Sequence, residues 1–324
     1  MWPSHYSWNW NAMDVGPHRD LVGELRGALR RKRGIRFGVE YSMMDKFHPL
    51  YIADKASGWA TAEFPRAKCI PELSELVERY QPDIIWSQGD EEAPSTYWNS
   101  TSFLAWLYND SPVRSDVVVN DRWGGDVALQ HGDFISCEST CQQVPTGYKS
   151  LKPLSIDRNS FGYRREAEIS DYRTVSEIIT ELVTTVSRNG NLVLGVSATK
   201  DGIIPQVFQE RLEQLGTWLK VNGEAVHGST AWKYHKDASN PNVRYTAKGN
   251  IVYVFMLRWP KNRVLSLQSL KLSSEGYVIL LGRPNERLPC SRDLITGTLI
   301  SLPPLTPDEL PTPWAWVLKV QGAF

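Results

Sequence analysis

Residues 83–94 read DIIWSQGDEEAP, and they hold the residues whose chemistry has to be explained. Ile84, Ile85 and Trp86 form a short apolar run. Ser87, Gln88 and Gly89 follow, and then the carboxylates Asp90, Glu91 and Glu92. An apolar strand ending in polar groups is how parallel α/β folds present catalytic side chains, at the carboxyl ends of their strands. A carboxylate at the tip could act as nucleophile, acid or base. The residue at the tip is Gln88, an amide that cannot ionise. Asp90 lies two residues on, a displacement of about 6–7 Å in extended backbone. Asp90, Glu91 and Glu92 are therefore read as loop charges close to the site rather than as its centre.

The surrounding periodicity says what positions this tip. Residues 18–33, HRDLVGELRGALRRKR, carry Leu21, Val22, Leu25, Ala28 and Leu29 at helical spacing. Acidic residues lie early and a basic run closes the segment, which suits the helix dipole. GIRFGVEYS reads as a strand. PELSELVERY (71–80) reads as a helix with proline at its start, and PDIIWSQG as the next strand. TYWNSTSFLAWLYNDS is helical in spacing, DVVVNDRWG is a strand, and FISCE a weaker one. Residues 174–187, TVSEIITELVTTVS, have Thr174 and Glu177 placed as a capping box. GNLVLGVS then reads as a strand and 205–221 as a helix. Strands alternating with helices imply a parallel α/β domain, and strand-tip chemistry favours a (β/α)8-type barrel over an open sheet. After about residue 228 the texture becomes alternating and proline-punctuated, as in VRYTAKGNIVYVFMLRWP and WAWVLKVQG, which predicts an antiparallel β-sandwich. The expected domains are 1–228 and 229–324.

Composition narrows the function. The 324 residues carry 36 Lys plus Arg against 36 Asp plus Glu, so the net charge is zero and no basic nucleic-acid footprint exists. No apolar run is long enough to span a bilayer, and residues 2–20 are polar and turn-rich, unlike a signal peptide. Cys69, Cys137, Cys141 and Cys290 match no zinc or CxxC spacing, the six histidines form no metal cluster, and no cofactor is implied. Thirteen Trp and thirteen Tyr suit either sugar stacking or core packing. Two sequons, at Asn99 and Asn109, point towards a secretory route.

Several segments together resemble the α-L-fucosidases, retaining glycoside hydrolases, and especially their animal lysosomal and secreted members. They are WPSHYSWNWNAMDVGPHRDLVGEL, FHPLY, PDIIWSQGDEEAPSTYWNS, VVVNDRWG, SIDRNSFGYRR, GNLVLGVSATKDG, FQERLEQLGTWLKVNGEAV and the closing WAW. They cover nearly the whole chain in order. The resemblance implies a (β/α) barrel followed by a β-sandwich, fucosylated glycans as substrate, and a lysosomal or secreted setting. It also implies two carboxyl groups, a nucleophile and an acid/base, about 5–5.5 Å apart.

The same resemblance implies an Asp nucleophile at the position of Gln88, so ordinary retaining catalysis is expected to be impaired. It places the acid/base near FISCESTC, where Glu138 is the candidate. It places substrate-binding positions at Trp86, Arg122, Glu40, Tyr41 and Asp90, with Glu40 standing where the family usually has Tyr and Lys46 where Trp is common. Core packing for Trp86 and an ion pair with Asp121 for Arg122 are the structural alternatives. The family's Lys-Trp-Glu-x-Cys signature would fall at Lys149–Pro153, which here reads KSLKP. Its cysteine is gone, so Cys141 becomes the expected partner of Cys137. The family's fucose-gripping His pair would precede residue 2, so the barrel is expected to be partial, with an open edge that invites self-association or a partner. Three expectations follow: an impaired fucosidase, a fucose- or partner-binding pseudoenzyme, and a fragment without function of its own.

Overall fold

The structure is a computed structural model that describes residues 1–32, 34–137, 147–293 and 297–324. Glu138 and Cys141 lie outside the described residues. The chain forms two compact units, Met1–Ser136 and Cys137–Phe324.

The first unit runs α1 (Leu21–Arg30), β1 (Gly38–Ser42), α2 (Pro49–Ala56), α3 (Ile70–Tyr80), β2 (Ile84–Gln88), α4 (Ser95–Trp98), α5 (Ser100–Asn109), β3 (Val118–Val119) and β4 (Phe134–Ser136). The Asp20 carboxylate caps α1 by accepting from the Gly23 amide, and Arg30 lies in its last turn. That is the charge order the dipole favours. Strands β1, β2 and β3 pair in that order, all in parallel, and a parallel bridge joins Asn120 to Phe134. The helical stretch expected over residues 96–111 is broken in two, because Asn99 takes a left-handed conformation (φ 54°) between α4 and α5.

An aromatic core holds this unit together. Trp98 and Trp123 are fully buried; Tyr97 packs edge-on against Trp98 at 4.8 Å and Phe103 stacks on Trp123 at 5.5 Å. Truncating a buried aromatic of this kind typically costs about 3–5 kcal/mol. Much of the tryptophan content is therefore core. Trp8 and Trp10, by contrast, are each 82% exposed.

The second unit runs β5 (Lys149–Ser155), α6 (Val175–Ser187), β6 (Gly190–Gly195), α7 (Gln206–Asn222), β7 (Thr230–Lys236), β8 (Val243–Lys248), β9 (Ile251–Met256), β10 (Val264–Leu267), β11 (Leu272–Leu280), β12 (Arg283–Arg287), β13 (Cys290–Asp293), β14 (Gly297–Ser301) and β15 (Trp316–Ala323). β5 and β6 pair in parallel. Thr174 and Glu177 form the capping box that opens α6. The later strands form a six-stranded antiparallel sheet, β12-β11-β15-β9-β8-β7, and a three-stranded one, β10-β14-β13. Leu265, Leu267 and Ile300 of the small sheet share one core with Val243, Val254, Val278 and Val320 of the large sheet, which makes this a β-sandwich.

The large sheet is apolar on its other face too. Tyr253, Phe255 and Val317 pack there against Val175, Ile179 and Val183 of α6 and Trp218 of α7. The Trp218 indole donates to the Ala315 carbonyl at 2.7 Å. Helices that precede residue 228 are thus continuous in packing with strands that follow it.

Candidate functional site

Strands β1 and β2 position the candidate residues by register. Glu40 lies beside Trp86, Tyr41 beside Ser87, and Ser42 beside Gln88. Side chains alternate between faces along a strand, and laterally paired residues share a face. Glu40, Ser42, Trp86 and Gln88 therefore stand on one face of the sheet, and Tyr41, Ile85 and Ser87 on the other. Burial follows the same division: Glu40, Ser42 and Gln88 are exposed and Trp86 is half-buried, whereas Tyr41, Ile85 and Ser87 are buried.

The backbone around Gln88 is held on both sides. The Ser87 amide and hydroxyl each donate to the Asn120 side-chain oxygen at 2.9 Å, and the Asn120 side-chain amide donates back to the Ser87 carbonyl at 2.8 Å. The Ser87 hydroxyl also lies against the Arg122 carbonyl. The Met43 amide donates to the Gln88 carbonyl at 2.8 Å, which extends the ladder past the end of β1. Gly89 then turns the chain with φ +72°, and a Cβ there would meet Met44 Cβ at 3.0 Å. Only glycine takes this turn without strain.

The turn carries Asp90 into the interior. Asp90 is 1% exposed, and its Oδ2 accepts from the Gly124 amide at 2.8 Å. Its Oδ1 is buried with no hydrogen-bond partner, and burial raises the carboxyl pKa above the ordinary value, against the opposing effect of the Gly124 amide and the Arg122 charge. The Trp98 indole donates to the Asp90 carbonyl at 3.0 Å. Glycine at 124 is set by close approach, since a Cβ would come within 2.4 Å of the Ser95 amide nitrogen. Glu92 instead accepts from the Tyr51 hydroxyl and from Lys55 at 2.9 and 2.5 Å. The Asp121 carboxylate accepts from the Leu129 and Ser136 amides at 3.0 and 2.7 Å. The Trp86 indole nitrogen is buried and unpartnered.

A cavity of about 560 Å³ opens at the end of β1. Its lining includes Glu40, Tyr41, Ser42, Asp45 and Lys46, with Trp2, Ser4, Ser7 and Trp10 from the N-terminal segment, Phe47 from the β1–α2 loop, Lys68 from the segment just before α3 and Glu72 from its first turn. Glu40 and Tyr41 belong to the lining; Trp86, Gln88, Asp90 and Arg122 do not. The buried Glu72 carboxylate organises the floor. It accepts from the hydroxyls of Ser4 (2.7 Å), Ser7 (2.5 Å) and Tyr41 (2.7 Å) and lies 3.5 Å from Lys68. Burial, with the adjacent Glu72 charge, raises the Tyr41 phenol pKa well above its usual value.

These residues belong together with the ranges matched by known families. The model of the family described as alpha-L-fucosidase matches residues 1–224, and that of the alpha-L-fucosidase C-terminal domain matches residues 235–321. The chain is 50% identical over 323 residues to the tissue alpha-L-fucosidase of Homo sapiens, covering 99% of this chain and 69% of the relative. The chain belongs to the α-L-fucosidase family. The plasma alpha-L-fucosidase of Rattus norvegicus is 45% identical, with 99% and 70% covered. Among solved structures, an alpha-L-fucosynthase of Thermotoga maritima in complex with a fucosyl-fucose azide superposes with a TM-score of 0.76 at 31% identity, covering 98% of this chain and 70% of that one.

Within this α-L-fucosidase relative, the sequence reading found the strand tips and missed the cavity floor. Ser4, Ser7, Lys68 and Glu72 lie up to 68 residues apart, and no local motif joins them. One signal was available. Glu72 falls on the same face of α3 as Leu73, Leu76, Val77 and Tyr80. A carboxylate on the apolar face of an amphipathic helix needs partners in the interior. No group of three or more potential metal ligands occurs among the described residues.

Proposed function

We propose that the chain recognises α-L-fucosyl groups of glycans beside the ends of β1 and β2 and hydrolyses them poorly. The observation that carries this reading is Gln88: it closes β2 on the exposed face, beside Ser42, where family resemblance calls for an Asp nucleophile. A neutral amide cannot form the covalent glycosyl intermediate in the ordinary way and offers no charge to the oxocarbenium-like transition state. Trp86, Arg122, Glu40 and Tyr41 are assigned to sugar binding, and Glu138 to the acid/base position. The domain boundary is placed near residue 228, a reading supported by the matched ranges 1–224 and 235–321. A lysosomal or secreted setting is supported by the exposed sequon residues Asn99 and Asn109 and by relatives named for tissue and plasma.

The test is turnover of an aryl α-L-fucoside by the purified chain and by Gln88→Asp. The unmodified chain should show little or no turnover, and Gln88→Asp should exceed it. Robust turnover by the unmodified chain, abolished by Asp90→Ala, would overturn the reading and make Asp90 the nucleophile.

A further inference from the structure

We infer that β7, the outer strand of the large antiparallel sheet, binds an acidic oligosaccharide: Trp232 and Tyr234 receive a sugar ring, and Lys233, Lys236 and Arg244 receive its sulfate or carboxylate groups. This surface belongs to the second unit and does not depend on the reading of Gln88.

β7 ends the strand order of its sheet, so its outer edge has no partner strand among the described residues. It also leaves the ladder part-way. Ala231 pairs with Thr246 and Lys236 with Arg244, so five steps along β7 match two along β8. Residues 232–235 therefore arch away from the sheet, and a bulge of this kind re-aims side chains. Trp232 is held at the base of the arch. Its ring packs 5.0 Å from that of Tyr245, whose hydroxyl donates to the Asp237 carboxylate at 2.6 Å. Tyr234 meets Trp232 edge-on at 5.5 Å and is 45% exposed. Lys233 Nζ lies 5.3 Å from the Trp232 ring centre and 5.1 Å from that of Tyr234. Rings and cation thus form one patch, with a fixed aromatic wall for the apolar face of a sugar.

Further cations gather beside this wall. Lys236 lies next to Arg244, and Arg244 next to Phe255, so both cations stand on the sheet face that α6 and α7 cover. Arg188 caps the end of α6. Burial, and then the charges of Arg188, Lys236 and Arg244, lower the His235 pKa; burial and the Arg188 charge lower that of Arg244. Like charges therefore act on one another here, and no described carboxylate is ion-paired with Lys233, Lys236 or Arg244. The whole chain has no net charge, so the positive field is local to this corner. An anionic group docked on it relieves the repulsion, which a neutral sugar cannot do.

The test is calorimetric titration of the whole chain, at low salt, with a sulfated heparin hexasaccharide and with its desulfated counterpart. The sulfated probe should bind at least roughly tenfold tighter. Lys233→Gln combined with Lys236→Gln should weaken it roughly tenfold, and Tyr234→Ala at least roughly threefold, with the melting temperature unchanged in each. Lys32→Gln, in the basic run that closes α1, should leave binding as it is. No binding of the sulfated probe, equal binding of both probes, or binding that survives the paired lysine substitution overturns the proposal. Binding that ignores Tyr234→Ala, or that inorganic polyphosphate matches, overturns it too and leaves a charged patch that no sugar ring occupies.

Discussion

The Tyr41 phenol donates to the Glu72 carboxylate across 2.7 Å, joining β1 to the first turn of α3 in the interior of the N-terminal unit. The same carboxylate takes the hydroxyls of Ser4 and Ser7, so one buried charge fastens three segments together. Glu72→Ala leaves Lys68 and three hydroxyls without their acceptor and should cost about 3 kcal/mol, read as a lower denaturant midpoint. Tyr41→Phe removes one hydrogen bond to a charged acceptor and should cost about 1.5–3 kcal/mol. The raised Tyr41 pKa adds a pH signature. Its contribution is complete below the unfolded phenol value of about 10 and is lost as pH rises towards the higher folded one. The stability gap between Tyr41→Phe and the unmodified chain should narrow above about pH 10.

Asp90 has the opposite consequence at neutral pH. Its folded pKa lies above the unfolded value, so the folded chain holds the proton more tightly. That contribution is complete below the unfolded value and lost as pH rises through the folded one. Ionised Asp90 is therefore a burden at pH 7. Asp90→Asn keeps an acceptor for the Gly124 amide and should melt at the same temperature as the unmodified chain or higher. A clear drop would contradict the burial of Asp90 seen here.

Arg164 pairs with Asp157 through two contacts of 2.8 and 3.0 Å and with Asp171 at 2.8 Å. Asp157 is 2% exposed, and the Arg164 hydrogen bonds hold its pKa down. Arg164→Met strands that charge and should lower the denaturant midpoint at pH 7. Stability from a depressed carboxyl is present above its unfolded pKa and lost as pH falls through its folded one. The penalty of Arg164→Met should therefore shrink on acidification, which urea titrations at pH 7 and pH 3 would show.

Arg158 and the Thr174 cap lower the Glu177 carboxyl pKa from 4.5 to about 2. Thr174→Ala should remove about 1 kcal/mol. Glu177→Gln should trail the unmodified chain at pH 7 and converge with it as pH falls from about 4.5 towards 2, followed by helical circular dichroism on heating.

Local patterns were the legible part of this chain. Pro71 announced α3, Thr174 and Glu177 announced α6, and the Ile84–Gln88 run announced β2 and its tip. β5 was not read as a strand, because KSLKPLS mixes lysines, serines and a proline and its support comes from parallel pairing with β6, some forty residues on. β9 was read only as part of an alternating, sandwich-like stretch. It is apolar on both faces, with Val252, Val254 and Met256 in the sandwich core and Tyr253 and Phe255 beneath α6 and α7. The cavity floor was illegible for a related reason: its members meet only after the chain has folded. The position of Gln88 was legible because a strand tip is defined by its own neighbours.

That second apolar face of β9 bears on where the gene can be cut for expression. A recombinant sandwich begun at residue 229 would leave Tyr253, Phe255 and Val317 open to water, the sort of sticky surface that sends a product into inclusion bodies. Begun just before Lys149, the product would keep β5 beside β6, Ile156 beneath α6, the α6 cap and α7, and so carry its own lid into solution.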